Sequence, residues 1–201
     1  MPIFFQQELD GDTRLGVWHI EEDAAFFQQR VEPQRQVSHP HKKRQHLAGR
    51  YLLQHLFADF PTALIRVADT RKPFLEDEAF HFSISHCADF AAAIVSRNRR
   101  VGIDIEVPSD KVERIRHKFL SAEEQALLRR FEADQLKGAG PAQTSMESAI
   151  QTEGFSLKAP NPELLTLLWS CKEAIFKWYG LGSVDFRKHM QLKDIERGAG
   201  N

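Results

Sequence analysis

The sequence predicts an α+β fold, on three observations. Strand-like alternation of apolar and polar residues falls at 2–20 and again at 79–107. Helical periodicity falls at 46–60 and 163–180. The 201 residues, 42% apolar and 27% charged, have an ordinary globular composition and length enough for one large domain or two small ones.

The elements follow in order. IFFQQ and LGVWHI read as two short strands around the turn signal DGD, and EEDAAFFQQR at 21–30 as a short helix. The basic stretch SHPHKKR at 38–44 leads into HLAGRYLLQHLFADF, where Leu47, Tyr51, Leu52, His55 and Leu56 keep helical spacing and Pro61 lies just past the end. With no third ligand nearby, His39 and His41 read as solvated loop residues rather than a metal pair. ADTRKPFLED at 68–77 reads as a loop turning on Pro73. AFHFSIS, FAAAIVS and VGIDIEVP then read as three strands of an antiparallel meander. In the first of them Phe80, Phe82 and Ile84 face one way, His81, Ser83 and Ser85 the other. Residues 109–131 read as helical with a break near Ser121, where Ser121 and Glu124 form a capping-box pattern. Residues 132–162, rich in Gly, Ala, Pro, Gln and Ser, read as a long loop or partly disordered insertion. ELLTLLWSCKEAIFKWYG is a strong helix closed by Gly180, and VDFRKHMQLKDI is strand-like.

Composition narrows the function. A net charge of -1 argues against a nucleic-acid binder. Neither a secretory leader nor an apolar run of about 20 residues is visible, so no membrane partner is expected. Cys87 and Cys171 show no metal or disulfide spacing and read as small buried thiols. A reducing cytoplasm is the simplest compartment.

Two features point to chemistry. In VGIDIEVP, Asp104 and Glu106 share one face of the expected strand. They would stand about 6.5 Å apart and repel by about 2.5 kcal/mol at an effective dielectric of about 20. In the late helix, Leu164, Leu165, Leu167, Leu168, Trp169, Ile175, Phe176 and Trp178 make it apolar nearly all round, so it is expected to be buried, its aromatics as core. Lys172 is expected to reach solvent. Thr166, Ser170, Glu173 and Lys177, spaced 4, 3 and 4, form one polar line along it. An ordinary Glu173–Lys177 pair is worth only about 0.2–0.5 kcal/mol, a weak reason to interrupt a core helix. Three carboxylates from strand and helix make an oxygen-rich site suited to Mg²⁺ or Mn²⁺ and phosphate chemistry. The bound ion would turn the repulsion between Asp104 and Glu106 into attraction.

RKPFL at 71–75, FSISH at 82–86, GIDIE at 102–106 and WSCKEAIFK at 169–177 resemble, in order, the motifs of the Sfp-type 4'-phosphopantetheinyl transferases. The resemblance covers most of the chain, from Arg44 to about Phe186. It implies two similar α+β halves related by a pseudo-two-fold axis, here 1–100 and 101–201, with the site between them. It implies transfer of the phosphopantetheine arm of coenzyme A to a serine of an apo acyl or peptidyl carrier protein. Asp104, Glu106 and Glu173 match the metal ligands. Glu173 also matches the proposed base, directly or through water, and Lys177 a phosphate contact or proton donor. Arg44, Arg50, Lys72, Ser85 and His86 match contacts to coenzyme A phosphates, with Arg71 assisting or solvated. Glu124 matches a family acid close to the metal site, with a plain helix cap as the alternative; a surface basic patch remains the alternative for Arg44 and Arg50, a solvated loop residue for His86, and core or carrier contact for Phe119 and Leu120. The family implies a monomer. Family members commonly carry a shorter loop than 132–162 and continue with further strands, so the second half is expected to be abbreviated or to continue beyond this sequence. A metal-dependent phosphodiesterase or nuclease, and a non-catalytic coenzyme A-binding module, are the competing readings.

Overall fold

A computed structural model describes residues 3–31, 37–138 and 161–196, with 135–138 described by backbone only. It divides into two compact units: Met1–Val107 with Ser170–Ser183, and Pro108–Trp169 with Val184–Asn201. This differs from a cut at residue 100, because 101–107 and the second half of the late helix group with the first unit.

The first unit contains β1 (Ile3–Asp10), β2 (Thr13–His19), α1 (Ala24–Gln28), α2 (Pro40–Leu56), β3 (Arg66–Val67), β4 (Pro73–Phe74), β5 (His81–Cys87) and β6 (Phe90–Ser96). The long strands form one antiparallel sheet in the order β1-β2-β6-β5. β6 is central, and its alanines 91, 92 and 93 are buried. Helix α2 covers one face of the sheet through Leu47, Leu52, Leu53 and Leu56, in a core with Trp18, Phe27, Phe60, Phe82 and Val95. Each such side chain stabilises the fold by about 1.5–3 kcal/mol on burial. At Gly49 the packing is so close that a Cβ would lie 2.6 Å from Ile84 Cγ2. The two hairpins, α1 and α2 follow the sequence reading, with one revision. The helix starts at Pro40, since His39 accepts from the Lys42 amide as its N-cap and Pro40 takes the first turn, where its missing N–H costs nothing. His39 and His41 therefore belong to a helix start, and the stretch around Pro73 contributes the short strand β4 rather than only a loop.

The expected third meander strand is absent. Residues 101–109 carry no strand ladder, and β6 pairs with β2 and β5 instead. The segment 101–107 is held by side chains. Ser83 Oγ accepts from the Ile103 amide at 3.2 Å, and Ser85 Oγ donates to Asp104 Oδ1 at 2.7 Å. Since 83 meets 103 and 85 meets 104, the segment runs in the same direction as β5. Alternation of side chains signals an extended chain; it does not say whether the amides find a ladder.

The second unit contains α3 (Lys111–Phe119), α4 (Ala122–Gly138), the first turns of α5 (Pro162–Tyr179) and α6 (Phe186–His189). Its core is Val112, Phe119, Leu120, Leu128, Leu165 and Leu168, with Trp169 set edge-on to Phe119 at 5.2 Å. Phe119 and Leu120 are thus core residues. Residues 132–138 continue α4 rather than opening a loop, while 139–160 lie outside the described residues. The segment 184–195, expected as strand, forms the single turn α6, with Asp185 as N-cap. No strand occurs in this unit among the described residues, so within them the sheet of the first unit is not repeated.

Helix α5 is less buried than its composition predicts. Ile175, Trp178 and Tyr179 are 48%, 49% and 42% exposed, whereas Lys172, expected in solvent, is buried. Trp178 is therefore not core. Periodicity tells which residues share a face, not whether another element covers that face. Cys171 is exposed and Cys87 half-buried, against the expectation of two buried thiols. Among the described residues no helix is long and apolar enough to cross a membrane.

Candidate active site

The site is built on three pieces of the first unit: β5, the segment 101–107, and the second half of α5. Gly102 lets two of them meet. A Cβ there would collide with the Ala174 carbonyl oxygen and lie 2.6 Å from the Trp178 amide nitrogen, so only glycine brings this backbone against α5. Two residues on, Asp104 reaches Lys177 on the polar line of the helix.

Asp104, Ser85 and Lys177 form a closed triangle. Lys177 Nζ donates to Asp104 Oδ1 at 2.6 Å and to Ser85 Oγ at 2.9 Å, while Ser85 donates to the same Oδ1. The Asp104 side chain is 4% exposed and that of Lys177 26%. A charge pair this far from water holds only with hydrogen bonds of this kind around it. Asp104 Oδ2 is buried with no hydrogen-bond partner among the described residues.

Glu173 lies one turn before Lys177. Burial pushes its carboxyl up from the ordinary glutamate range; Lys177 opposes this, and the Asp104 and Glu106 charges add to it. Glu106 itself is exposed. The three carboxylates are thus within electrostatic range of one another, yet among the described residues no three Asp, Glu, His or Cys groups are gathered closely enough to hold an ion. Mg²⁺ does not require that: it keeps several waters and is commonly bound through one or two carboxylates plus substrate phosphates. Asp104 Oδ2, buried and without a hydrogen-bond partner among the described residues, with the Glu106 and Glu173 charges in electrostatic range, is chemistry that fits such an ion.

A cavity of about 220 Å³ adjoins this cluster, lined among others by Arg71, Lys72, Ser83, Glu173, Lys177 and Gly180. Lys72 comes from the turn between β3 and β4 and lies over Gly180, which ends α5 with φ +73° and whose added Cβ would meet Lys72 Nζ at 2.5 Å. Desolvation, then the Arg100 charge, holds the Lys72 ammonium below its ordinary pKa.

Other expected residues stand apart. Ser85 turns to Asp104, whereas His86, its neighbour on the strand, points to the opposite face, the one α2 covers, and is exposed. Arg50 is buried on α2, with its guanidinium against His46 Nδ1 at 3.1 Å, rather than forming a surface patch. Arg44 is half-buried one turn and a half earlier. Glu124 is a helix cap: its Oε2 accepts from the Ser121 amide at 2.7 Å, and its Oε1 from the Leu192 amide at 2.7 Å. Both of its oxygens thus accept backbone amides within the second unit. Sequence reading missed the work of Gly102 and Ser83. A glycine in an alternating strand pattern was the one available signal for the first.

Residues 32–96 match the model of the 4'-phosphopantetheinyl transferase N-terminal domain, and residues 100–200 that of the 4'-phosphopantetheinyl transferase superfamily. The chain belongs to the 4'-phosphopantetheinyl transferase superfamily. Over 137 residues this transferase-family chain is 31% identical to enterobactin synthase component D of Salmonella typhi, covering 68% of the chain and 47% of that protein. Over 65 residues it is 43% identical to enterobactin synthase component D of Salmonella austin, covering 32% of the chain and 27% of that protein. These matches span less than half the length of either relative.

Proposed function

We propose that the protein transfers the 4'-phosphopantetheine arm of coenzyme A to a serine of an apo carrier protein, with Mg²⁺ as cofactor. The single observation that supports this reading is Asp104, held through Oδ1 by Lys177, with its Oδ2 buried and without a hydrogen-bond partner among the described residues, within the family-matched region. The carrier serine oxygen forms a bond to the phosphorus that bears pantetheine. The bond from that phosphorus to the bridging oxygen breaks, and adenosine 3',5'-bisphosphate leaves with the electron pair.

Asp104, with Glu106 and Glu173, would hold the ion, which when bound offsets charge on the pyrophosphate. Glu173 receives the serine proton, directly or through a water. Lys177 faces the transferred phosphoryl and stabilises charge that develops there. Lys72 and Arg71, from the cavity wall, bind phosphate oxygens of coenzyme A, and Arg44, Arg50 and His86 serve its 3'-phosphate. The relatives' printed name, enterobactin synthase component D, favours a carrier domain that belongs to such a synthase.

The test mixes the protein with Mg²⁺, coenzyme A and an apo carrier protein and weighs the carrier. A gain of the phosphopantetheine mass is expected. Glu173→Ala is expected to lower the rate by at least about 100-fold with an unchanged melting curve, the scale of losing a general base. Full activity in that variant sinks the assignment.

A further inference from the structure

We propose that Ser85 is a positioning residue: its hydroxyl and the Lys177 ammonium together occupy one oxygen of Asp104 and so leave the other as a ligand for a divalent ion. The proposal rests on the reading that Asp104 binds such an ion. It differs from the coenzyme A phosphate contact that the resemblance implies for Ser85.

The geometry allots the Ser85 hydroxyl hydrogen and two of the three on the Lys177 ammonium. Ser85 has one hydroxyl hydrogen, directed at Asp104 Oδ1 at 2.7 Å. Its lone pair receives Lys177 at 2.9 Å, and Lys177 sends a second hydrogen to Oδ1 at 2.6 Å. Two donors therefore converge on Oδ1 from the strand and the helix. The carboxylate cannot exchange its oxygens without breaking both bonds. Oδ2, buried and without a partner among the described residues, is the oxygen left over. Residues that orient a metal ligand in this way typically change metal affinity by 10- to 100-fold when removed.

The same inventory separates the two assignments. A hydroxyl has one hydrogen to donate. Spent on Asp104, it is not available to a phosphate oxygen. Ser85 is also 7% exposed, and His86, the partner implied for that phosphate, lies on the other face of the strand.

Mn²⁺ is the probe, with free and bound ion counted by electron paramagnetic resonance, with and without saturating coenzyme A. Asp104→Ala is expected to abolish binding. Ser85→Ala is expected to weaken Mn²⁺ affinity by about tenfold while leaving coenzyme A affinity within about twofold, and Ser85→Thr to restore the ion. Ser85→Cys keeps the volume with a poor donor and is expected to behave as Ser85→Ala, which covers a folding defect in the alanine variant. Wild-type Mn²⁺ affinity in both Ser85→Ala and Ser85→Cys, with weakened coenzyme A, overturns the positioning role and leaves the metal reading standing. Retention of Mn²⁺ by Asp104→Ala, or no Mn²⁺ binding by the unaltered protein, overturns both.

Discussion

Asp104 and Lys72 show how one charged residue is held for use. Asp104 has both a cation and a hydroxyl on one oxygen and, among the described residues, no hydrogen-bond partner on the other. Lys72 is a half-buried ammonium beside a second cation, Arg100, with its charge disfavoured by desolvation first and by that neighbour second. Its folded pKa lies below the unfolded value of 10.5, so the unfolded chain binds more protons in the window between the two, and Lys72 adds stability as pH rises through it. For phosphate binding the sign is opposite. As pH climbs past the lowered pKa, an anion must draw in a proton with it, so coenzyme A affinity is expected to fall by up to about tenfold per pH unit. The decline should begin at lower pH than for an ordinary lysine. Calorimetric titration across alkaline pH checks this, and Lys72→Arg, always charged, should flatten the profile. A slope identical in the arginine variant removes Lys72 from the phosphate site.

At the scale of elements, the segment 101–107 and α5 are fitted to each other through Gly102. The segment has no backbone ladder; Ser83, Ser85 and the close approach at Gly102 hold it in place. Gly102→Ala puts a methyl group into backbone atoms that cannot yield as a flexible side chain would. A cost of about 1–3 kcal/mol is expected, the usual price of overpacking, along with displacement of Asp104. A shift of about 1 Å at a reacting group costs on the order of 100-fold in rate. Denaturant unfolding and the carrier-mass assay together check it. A variant with wild-type rate would show that the segment is not positioned by this contact. Elements were also the scale at which sequence reading did best and erred most plainly. Hairpins, α2 and α5 are legible because apolar spacing and caps are local. The extended segment read as a strand, and 184–195 read as one too, because alternation is equally local while ladder pairing is not.

At the scale of the whole molecule, ligands that bind only the folded chain stabilise it by mass action. At a hundred times its dissociation constant a ligand adds about 2.7 kcal/mol, which for a chain of this length raises Tm by roughly 5–10 °C. If the proposed ion is shared between carboxylates and phosphates, coenzyme A with Mg²⁺ should lift the melting midpoint by more than the sum of the two separate shifts. Chelation should return the coenzyme A-loaded protein to the coenzyme A-only curve. Scanning calorimetry measures this directly, and additive, uncoupled shifts would contradict a shared ion.

The sequence by itself determined the family, the order of the main helices and hairpins, and the set of acids and bases that could meet. Spacing along a chain is enough for that, because periodicity and motif order are properties of the chain alone. Folding alone set one Asp104 oxygen against Ser85 and Lys177, from positions 19 and 73 residues away, buried Lys172 while leaving Trp178 exposed, and gave the second Glu124 oxygen to the Leu192 amide. Burial and hydrogen-bond partnership depend on which distant segments arrive at the same place. No local pattern of residues records that arrival.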